Sequence, residues 1–427
     1  MMVALMFLGL VALILINVPI AVALGVVAMS AMVVSDGLDS LLNSAIVMFS
    51  GATSFPLLAI PLFILAGAIM NTSSLSRRLI AFASALLGFI RGGLSMITIG
   101  TSMFFAEISG SAVADVAAMG SILIPAMKKK GYPKEFAAAV MSSSATLAVI
   151  IPPSIPMILY AVMADASVVQ IFVAGIVPGV LAGLGLMVIS YLYARRYDWP
   201  VEEAFQWQRV KSTFKDAVWA FLLPMIILGG IFGGIVTATE GAALAVLAAL
   251  LIGGVIYRDL NWRHLYKAMI EGAVQTAIVM LLVASSALIG HFLTEQQLPQ
   301  QLARWISSIT NDRIAVLAIL NVFFLLIGLF LHSAAAIILV VPIVMPLVNQ
   351  VGIDPVHFGL IVTLNLGIGQ QTPPVASVLM ASCSIAKADM WQVTRVNLPF
   401  IAVLVTTLMV VTYVPAVPMA LVAFFYH

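Results

Sequence analysis

The chain has 427 residues, of which 63% are hydrophobic and 8% charged, with a mean hydropathy of +1.17 and a formal net charge of +2. A soluble domain carries about 25% charged residues, so this chain cannot wet its own surface and must take lipid as solvent. The small net charge gives no footprint for nucleic acid, and the single Cys383 excludes a disulfide framework and a thiolate metal site.

Met1 to Ile16 lacks a basic leading region and runs into further apolar sequence, so it reads as a retained span rather than a cleaved signal. A crossing helix needs about 20 apolar residues. Stretches near or above that length cover Val3–Val34 (interrupted at Asn17-Val18-Pro19), Phe55–Met70, Phe136–Met163, Ile171–Tyr193, Ala217–Ile235, Ala242–Tyr257, Ala268–Leu293, Phe358–Ala386 and Leu398–Ala423. The one long polar segment, Arg195–Asp216, divides the chain near its middle.

The two halves repeat. At a constant offset of 221, Pro125 matches Pro346, Gly131 matches Gly352, and Pro152-Pro153 matches Pro373-Pro374. Upstream, Leu75 and Leu79 match Leu298 and Leu302 at an offset of 223. Each repeat holds a short amphipathic stretch, an apolar segment with a polar middle, and a long helix broken by Pro-Pro. Leu79–Ile90 and Gln300–Ile309 are too short to cross and suit the interface. Gly92–Met127, with Glu107-Ile108-Ser109-Gly110-Ser111 at its centre, and Ala315–Val348, with Leu331-His332-Ser333, predict re-entrant hairpins. Irregular backbone survives at that depth only when protein or water shields it.

With three crossings before each hairpin and two after it, and the first hairpin open to the cytoplasm, all but Arg304 and Arg313 of the 19 Lys and Arg fall inside. That satisfies the positive-inside rule, and an odd number of crossings inverts the second half. The expected fold is therefore all-α and membrane-integral. A first inverted repeat covers 1–196 (hairpin 92–127, broken helix 133–164). A cytoplasmic linker covers 197–217, and a second repeat covers 218–427 (hairpin 313–349, broken helix 355–386). Inverted repeats with broken helices are the build of secondary transporters.

Proline lacks an N–H, so Pro152-Pro153 frees carbonyls from Ala148 to Ile151. With the hydroxyls of Ser109 and Ser111 they offer the hard oxygens that suit Na⁺. The alternative is a kink satisfied by neighbouring helices; two such breaks beside matched polar tips favour ion binding. The second constellation sets Ser333 near Gly367-Ile368-Gly369-Gln370-Gln371-Thr372-Pro373-Pro374. Gln370 and Gln371 at that depth either bind substrate or hydrogen-bond between helices, and Ser142, Ser143, Ser144, Thr363 and Asn365 are open in the same way. Glu107 and Asp115 are site candidates because intramembrane acids usually are, although Asp115 can also cap or pair within the hairpin. Glu240 reads as the anchor of a bend. His291 and His332 stand at no metal-ligand spacing, and no phosphate-binding loop is present, so energy comes from a gradient or a partner.

Four segments carry a family resemblance: Ser54-Phe55-Pro56-Leu57-Leu58-Ala59-Ile60-Pro61, Ser109-Gly110-Ser111-Ala112-Val113-Ala114-Asp115, Ile150-Ile151-Pro152-Pro153-Ser154-Ile155-Pro156 and Gly352-Ile353-Asp354-Pro355-Val356-His357-Phe358-Gly359. In order along the whole chain they resemble the large membrane subunit of tripartite ATP-independent periplasmic (TRAP) transporters. The resemblance implies a non-enzymatic, multi-pass protein of the bacterial inner membrane, importing a small organic acid with Na⁺ by an elevator movement. It implies two partners, a small membrane subunit and a periplasmic solute-binding protein; the alternative is a stand-alone ion-coupled anion transporter. One Na⁺ site would use Ser109, Ser111, Ala148, Ile151 and Pro153, and the other Ser333, Thr372 and Val375. Gly110, Asp115, His332, Gln370 and Gln371 are the substrate candidates. The family usually has Asp where His332 stands, apolar residues at Gln370 and Gln371, and often Gly at Ala148; its Thr-Pro-Thr-Glu reads Thr237-Ala238-Thr239-Glu240 here. A protonated His332 would suit the substrate's carboxylate.

Overall fold

In the computed structural model, Met1, Asn17, Pro200 and His427 lie outside the described residues, as do the side chains of Met2, Val3, Ala4, Leu15, Glu107, Ile108 and Ser109. No strand occurs among the described residues. Helices α1 (Met2–Leu15), α2 (Ile20–Asp36), α3 (Ser40–Ala52) and α4 (Ala59–Thr72) open the first half. The amphipathic α5 (Leu75–Leu87) follows, then a hairpin of α6 (Gly93–Ser109), α7 (Ala112–Asp115) and α8 (Ser121–Lys129). A broken helix, α9 (Lys134–Ala145) and α10 (Ile155–Met163), precedes the long α11 (Val168–Arg196). The second half begins with α12 (Trp207–Phe232), α13 (Ala238–Leu251) and α14 (Trp262–Glu295), and α15 (Leu298–Ile309) takes the place of α5. Its hairpin is α16 (Arg313–Gly328) and α17 (Ser333–Gln350), and its broken helix is α18 (Pro355–Gly369) and α19 (Ser377–Ala386). It closes with α20 (Met390–Tyr413) and α21 (Ala416–Tyr426). Among the described residues, seven helices, or helices with a short continuation, are long and apolar enough to cross a membrane.

The helix boundaries keep the sequence offset. The hairpins end at Lys129 and Gln350 and the broken helices start at Lys134 and Pro355, each pair 221 residues apart. Both halves leave the helix ahead of their proline pairs, because neither proline can donate to the turn before it.

One expectation changes: Leu398–Ala423 is two helices, since Pro415 cannot continue α20. Ser40–Ala52, on which the sequence reading was silent, is helical. Helix α12 also starts inside the polar segment, at Trp207, where Val210 is buried and Trp207 and Phe214 flank it on an apolar stripe.

Several of the few acids serve helix ends. Asp312, Asp354 and Asp389 accept from the backbone N–H groups of Ala315, of Val356 and His357, and of Gln392 at 2.7–3.1 Å. Glu240 closes a capping box with Thr237: its carboxylate accepts from the Thr237 N–H at 2.8 Å, and the Thr237 hydroxyl accepts from the Glu240 N–H. Such caps stabilise a helix by about 1 kcal/mol each.

The halves interlock. Helix α14 packs on α2, α3 and α4, and α13 packs on α4. In the other layer α9 packs on α19 and α20, and α10 on α17. The segment between the halves is held at the base of the first hairpin. The Glu202 N–H donates to the Gly88 carbonyl at 2.8 Å, its carboxylate lies 3.2 Å from Lys130, and Asp198 pairs with Arg91 at 3.3 Å. Trp199 packs on Phe136 and Tyr132, with ring centres 4.4 and 4.6 Å apart.

Candidate functional site

Each hairpin turns at the break of its own half. In the first, Gly110 takes a left-handed conformation (φ +57°) that most side chains resist, and its carbonyl accepts from the Ile155 N–H just past the proline pair. An added Cβ on Gly110 would sit 3.1 Å from the Pro153 carbonyl oxygen. In the second, the Leu329 carbonyl accepts from the Val375 N–H, also just past a proline pair. There Gly328 and Gly369 bring two backbones together, and an added Cβ on Gly369 would fall 2.4 Å from the Gly328 carbonyl carbon.

The oxygens at the two breaks differ in what occupies them. Pro152 and Pro153 leave the carbonyls of Ala148 and Val149 without their helical donors. The Ser154 hydroxyl takes that of Val149 at 2.9 Å. Among the described residues no donor reaches the carbonyls of Ala148, Ile151 or Pro153. At the second break the carbonyls of Gly369 and Gln370 are taken by the N–H groups of Thr372 and Val378, each at 3.0 Å. The Thr372 hydroxyl donates to Ile368 at 2.9 Å.

The candidates read from sequence fall as follows. Ala148 and Ile151 are buried, and Ser111 is half-buried at the start of α7. The side chains of Ser109 and Glu107 lie outside the described residues. Asp115 is buried where α7 passes into a π-helical turn, Val116–Gly120, of the kind often found at functional positions. In the second half Ser333 is buried and Thr372 half-buried, while His332 and Val375 are exposed.

The adjacent glutamines, in the turn that follows α18, point apart. Gln370 donates to the Ser333 hydroxyl, stitching the second tip to its break. Gln371 points to the other half. Its Oε1 accepts from Asn397 Nδ2 at 3.1 Å and lies 2.8 Å from the Ser143 Oγ, which is 2.6 Å from Asn397 Oδ1. All three residues have no solvent exposure. A second buried chain joins Asn365 to Asn321 at 2.7 Å and Asn321 to Thr412 at 3.2 Å. Both glutamines therefore make the hydrogen bonds between elements that the sequence left open. Asn397, Asn321 and Thr412 escaped the sequence reading; the available signal was an amide inside an apolar helix.

Two hairpins, each seated on a proline-broken helix within an all-helical bundle, define a polytopic membrane protein with the build of secondary transporters. The chain belongs to the DctM family: residues 7–417 match the family described as "Tripartite ATP-independent periplasmic transporter, DctM component". It is thus a TRAP-type transporter component of the bacterial inner membrane. It is 43% identical, over 95% of its length, to the isethionate TRAP transporter permease protein DctMQ of Oleidesulfovibrio alaskensis, and spans 64% of that relative. It is 39% identical to the C4-dicarboxylate TRAP transporter large permease protein DctM of Pseudomonas aeruginosa, covering 90% of each chain. The 2,3-diketo-L-gulonate TRAP transporter large permease protein YiaN of Escherichia coli is 36% identical over 86% of this chain and 87% of its own. The fold is similar to the crystal structure of the Alcanivorax borkumensis YdaH transporter, with a TM-score of 0.64 at 16% identity, over 92% of this chain and 90% of that one.

Proposed function

We propose that the chain is the large membrane subunit of a Na⁺-coupled importer, taking a small organic anion from a periplasmic solute-binding protein and working beside a small membrane subunit. It has no enzymatic role in this reading. The observation that carries the proposal is the pairing of hairpin tip and helix break, with carbonyls at Ala148, Ile151 and Pro153, below the Gly110 turn, that no donor reaches among the described residues. Carbonyl oxygens without donors in a buried site are matched to a hard monovalent cation. Ser109 and Ser111 would complete the first cage. Thr372, Val375 and Ser333 would form the second, where fewer oxygens are free.

No Lys or Arg lies in residues 107–120, 146–156, 328–336 or 366–377. An anion arriving between the tips therefore takes its compensation from the bound cations and from the helix N-termini there. The relatives' names supply the chemical class: isethionate, C4-dicarboxylates and 2,3-diketo-L-gulonate are all small organic anions. Gly110, Asp115, His332 and Gln370 border the two tip-on-break assemblies, and Gln371 follows on the second. The halves, 1–196 and 218–427, are inverted in this account, and the two hairpins and broken helices ride as one elevator body against the remaining helices.

The test is solute uptake by proteoliposomes holding the chain and its small membrane subunit. Uptake is expected only with the binding protein outside and an inward Na⁺ gradient. Uptake that is unaffected by leaving out the binding protein, or by replacing Na⁺ with choline, overturns the proposal.

A further inference from the structure

The two breaks are tied to each other by a polar contact that has no counterpart under the repeat. At the offset of 221 the equivalents of Ser143 and Gln371 are Leu364 and Ile150, both apolar. The Ser143–Gln371–Asn397 cluster is therefore a single device on one side of the repeat axis rather than half of a pair. Ser143 sits on α9, one turn before the first break. Gln371 directly precedes Thr372-Pro373-Pro374, and Asn397 reaches both from α20.

The geometry is that of hydrogen bonds. Oxygen separations of 2.6 and 2.8 Å around Ser143 Oγ match O–H···O contacts and are too close for oxygens that surround a metal ion. The hydroxyl has one hydrogen and two oxygens to serve, and Gln371 Nε2, fully buried, meets no acceptor among the described residues. A buried network left partly satisfied is costly, by about 1–3 kcal/mol for each unmet group.

We infer that Ser143, Gln371 and Asn397 are positioning residues that make the cation sites at the two breaks interdependent. This rests on the proposed Na⁺ coupling. A cation drawing in the carbonyls at Ala148 and Ile151 shifts the end of α9. Ser143 passes that shift to Gln371, which sets the backbone at Thr372 for the second cation. Thr146 against Gly367, three residues on from Ser143, gives the same path a packed contact. Coupling between sites of this kind is commonly about 5- to 150-fold in affinity.

The test is equilibrium binding of radioactive ²²Na⁺ to the purified full chain in nanodiscs, comparing Ser143→Val with Ser143→Thr. The two side chains have the same shape and differ in the hydroxyl, so a packing defect affects both alike. The wild type and Ser143→Thr are expected to bind with a Hill coefficient of about 1.4 or more, and Ser143→Val with about 1 at unchanged total ions bound. Gln371→Met is expected to behave as Ser143→Val, and supplies the result if the valine variant fails to fold. Cooperative binding retained in Ser143→Val or Gln371→Met overturns the inference, as does a wild-type coefficient of 1 with Na⁺ still bound. A wild type that binds no Na⁺ removes the underlying ion reading itself, which is a separate failure.

Discussion

Thr146 and Gly367 stand 221 residues apart, at equivalent places in the two halves, and touch each other where the broken helices cross. An added Cβ at Gly367 would lie 2.9 Å from Thr146 Cγ2. In the inverted-repeat account proposed above, a contact between equivalent positions marks the axis that would relate the halves, as in any two-fold contact. That axis would pass between the helical segments that precede the two proline pairs. Gly367→Ala is therefore expected to destabilise the protein by about 1–3 kcal/mol through overpacking. Thr146→Ser, which removes the obstructing methyl, should recover most of that loss. Thermal unfolding of the two single variants and the double variant in detergent measures the coupling.

Gly369 offers no such escape. The atoms an added Cβ would meet are the Gly328 Cα, carbonyl carbon and oxygen at 2.4–2.6 Å, all backbone. Gly369→Ala must separate the second hairpin from its break, and no trimming of a neighbouring side chain relieves it. The expected result is a melting point lowered well beyond that of Gly367→Ala, or loss of monodisperse protein, read by size-exclusion chromatography.

Pro152→Ala returns a backbone N–H opposite the Ala148 carbonyl. If that oxygen holds a cation, giving it a donor weakens binding, and Na⁺ affinity should fall by about tenfold or more, the scale of one charge-assisted contact of about 1.5–3 kcal/mol. Gly110→Ala should act in the same direction, because the left-handed turn (φ +57°) carries the tip over Pro153. Binding of ²²Na⁺ to each purified variant checks both.

Tyr132 lies in the turn after the first hairpin, outside the spans. Burial, and after it the negative charge of Glu202, push its phenol up to about 12, while a backbone hydrogen bond at Leu94 pulls the other way. Between its ordinary value of 10.0 and about 12 the unfolded chain gives up this proton and the folded chain keeps it. Stability is therefore fully present below pH 10 and lost as pH rises through that window. Melting temperature should drop more steeply with alkaline pH in the wild type than in Tyr132→Phe, which carries no phenol to ionise.

Much of this was legible in the sequence because proline and hairpin signals act locally. Pro152-Pro153 and Pro373-Pro374 lack donors wherever they sit, so the breaks followed from composition alone. The amphipathic runs after Ser74 and Gln297 are too short to cross in any context. What Ser143 and Gln371 touch was not legible, because their partner Asn397 arrives from a helix 26 residues beyond Gln371 and only packing chooses it. The same holds for the difference between the breaks. Both free two carbonyls, and only the fold shows that Thr372 and Val378 reclaim them in the second half. Pro415 shows a local signal outweighed by hydrophobicity: Leu398–Ala423 is apolar enough to read as one span, yet the helix stops at Tyr413.

The most direct test is the movement of ²²Na⁺ itself. Proteoliposomes holding the chain with its small membrane subunit are exposed to ²²Na⁺, first with empty and then with solute-loaded binding protein. Ion-coupled import by this chain predicts that the loaded binding protein accelerates ²²Na⁺ influx in a fixed ratio to solute taken up. Solute accumulating inside with no accompanying ²²Na⁺ would contradict it.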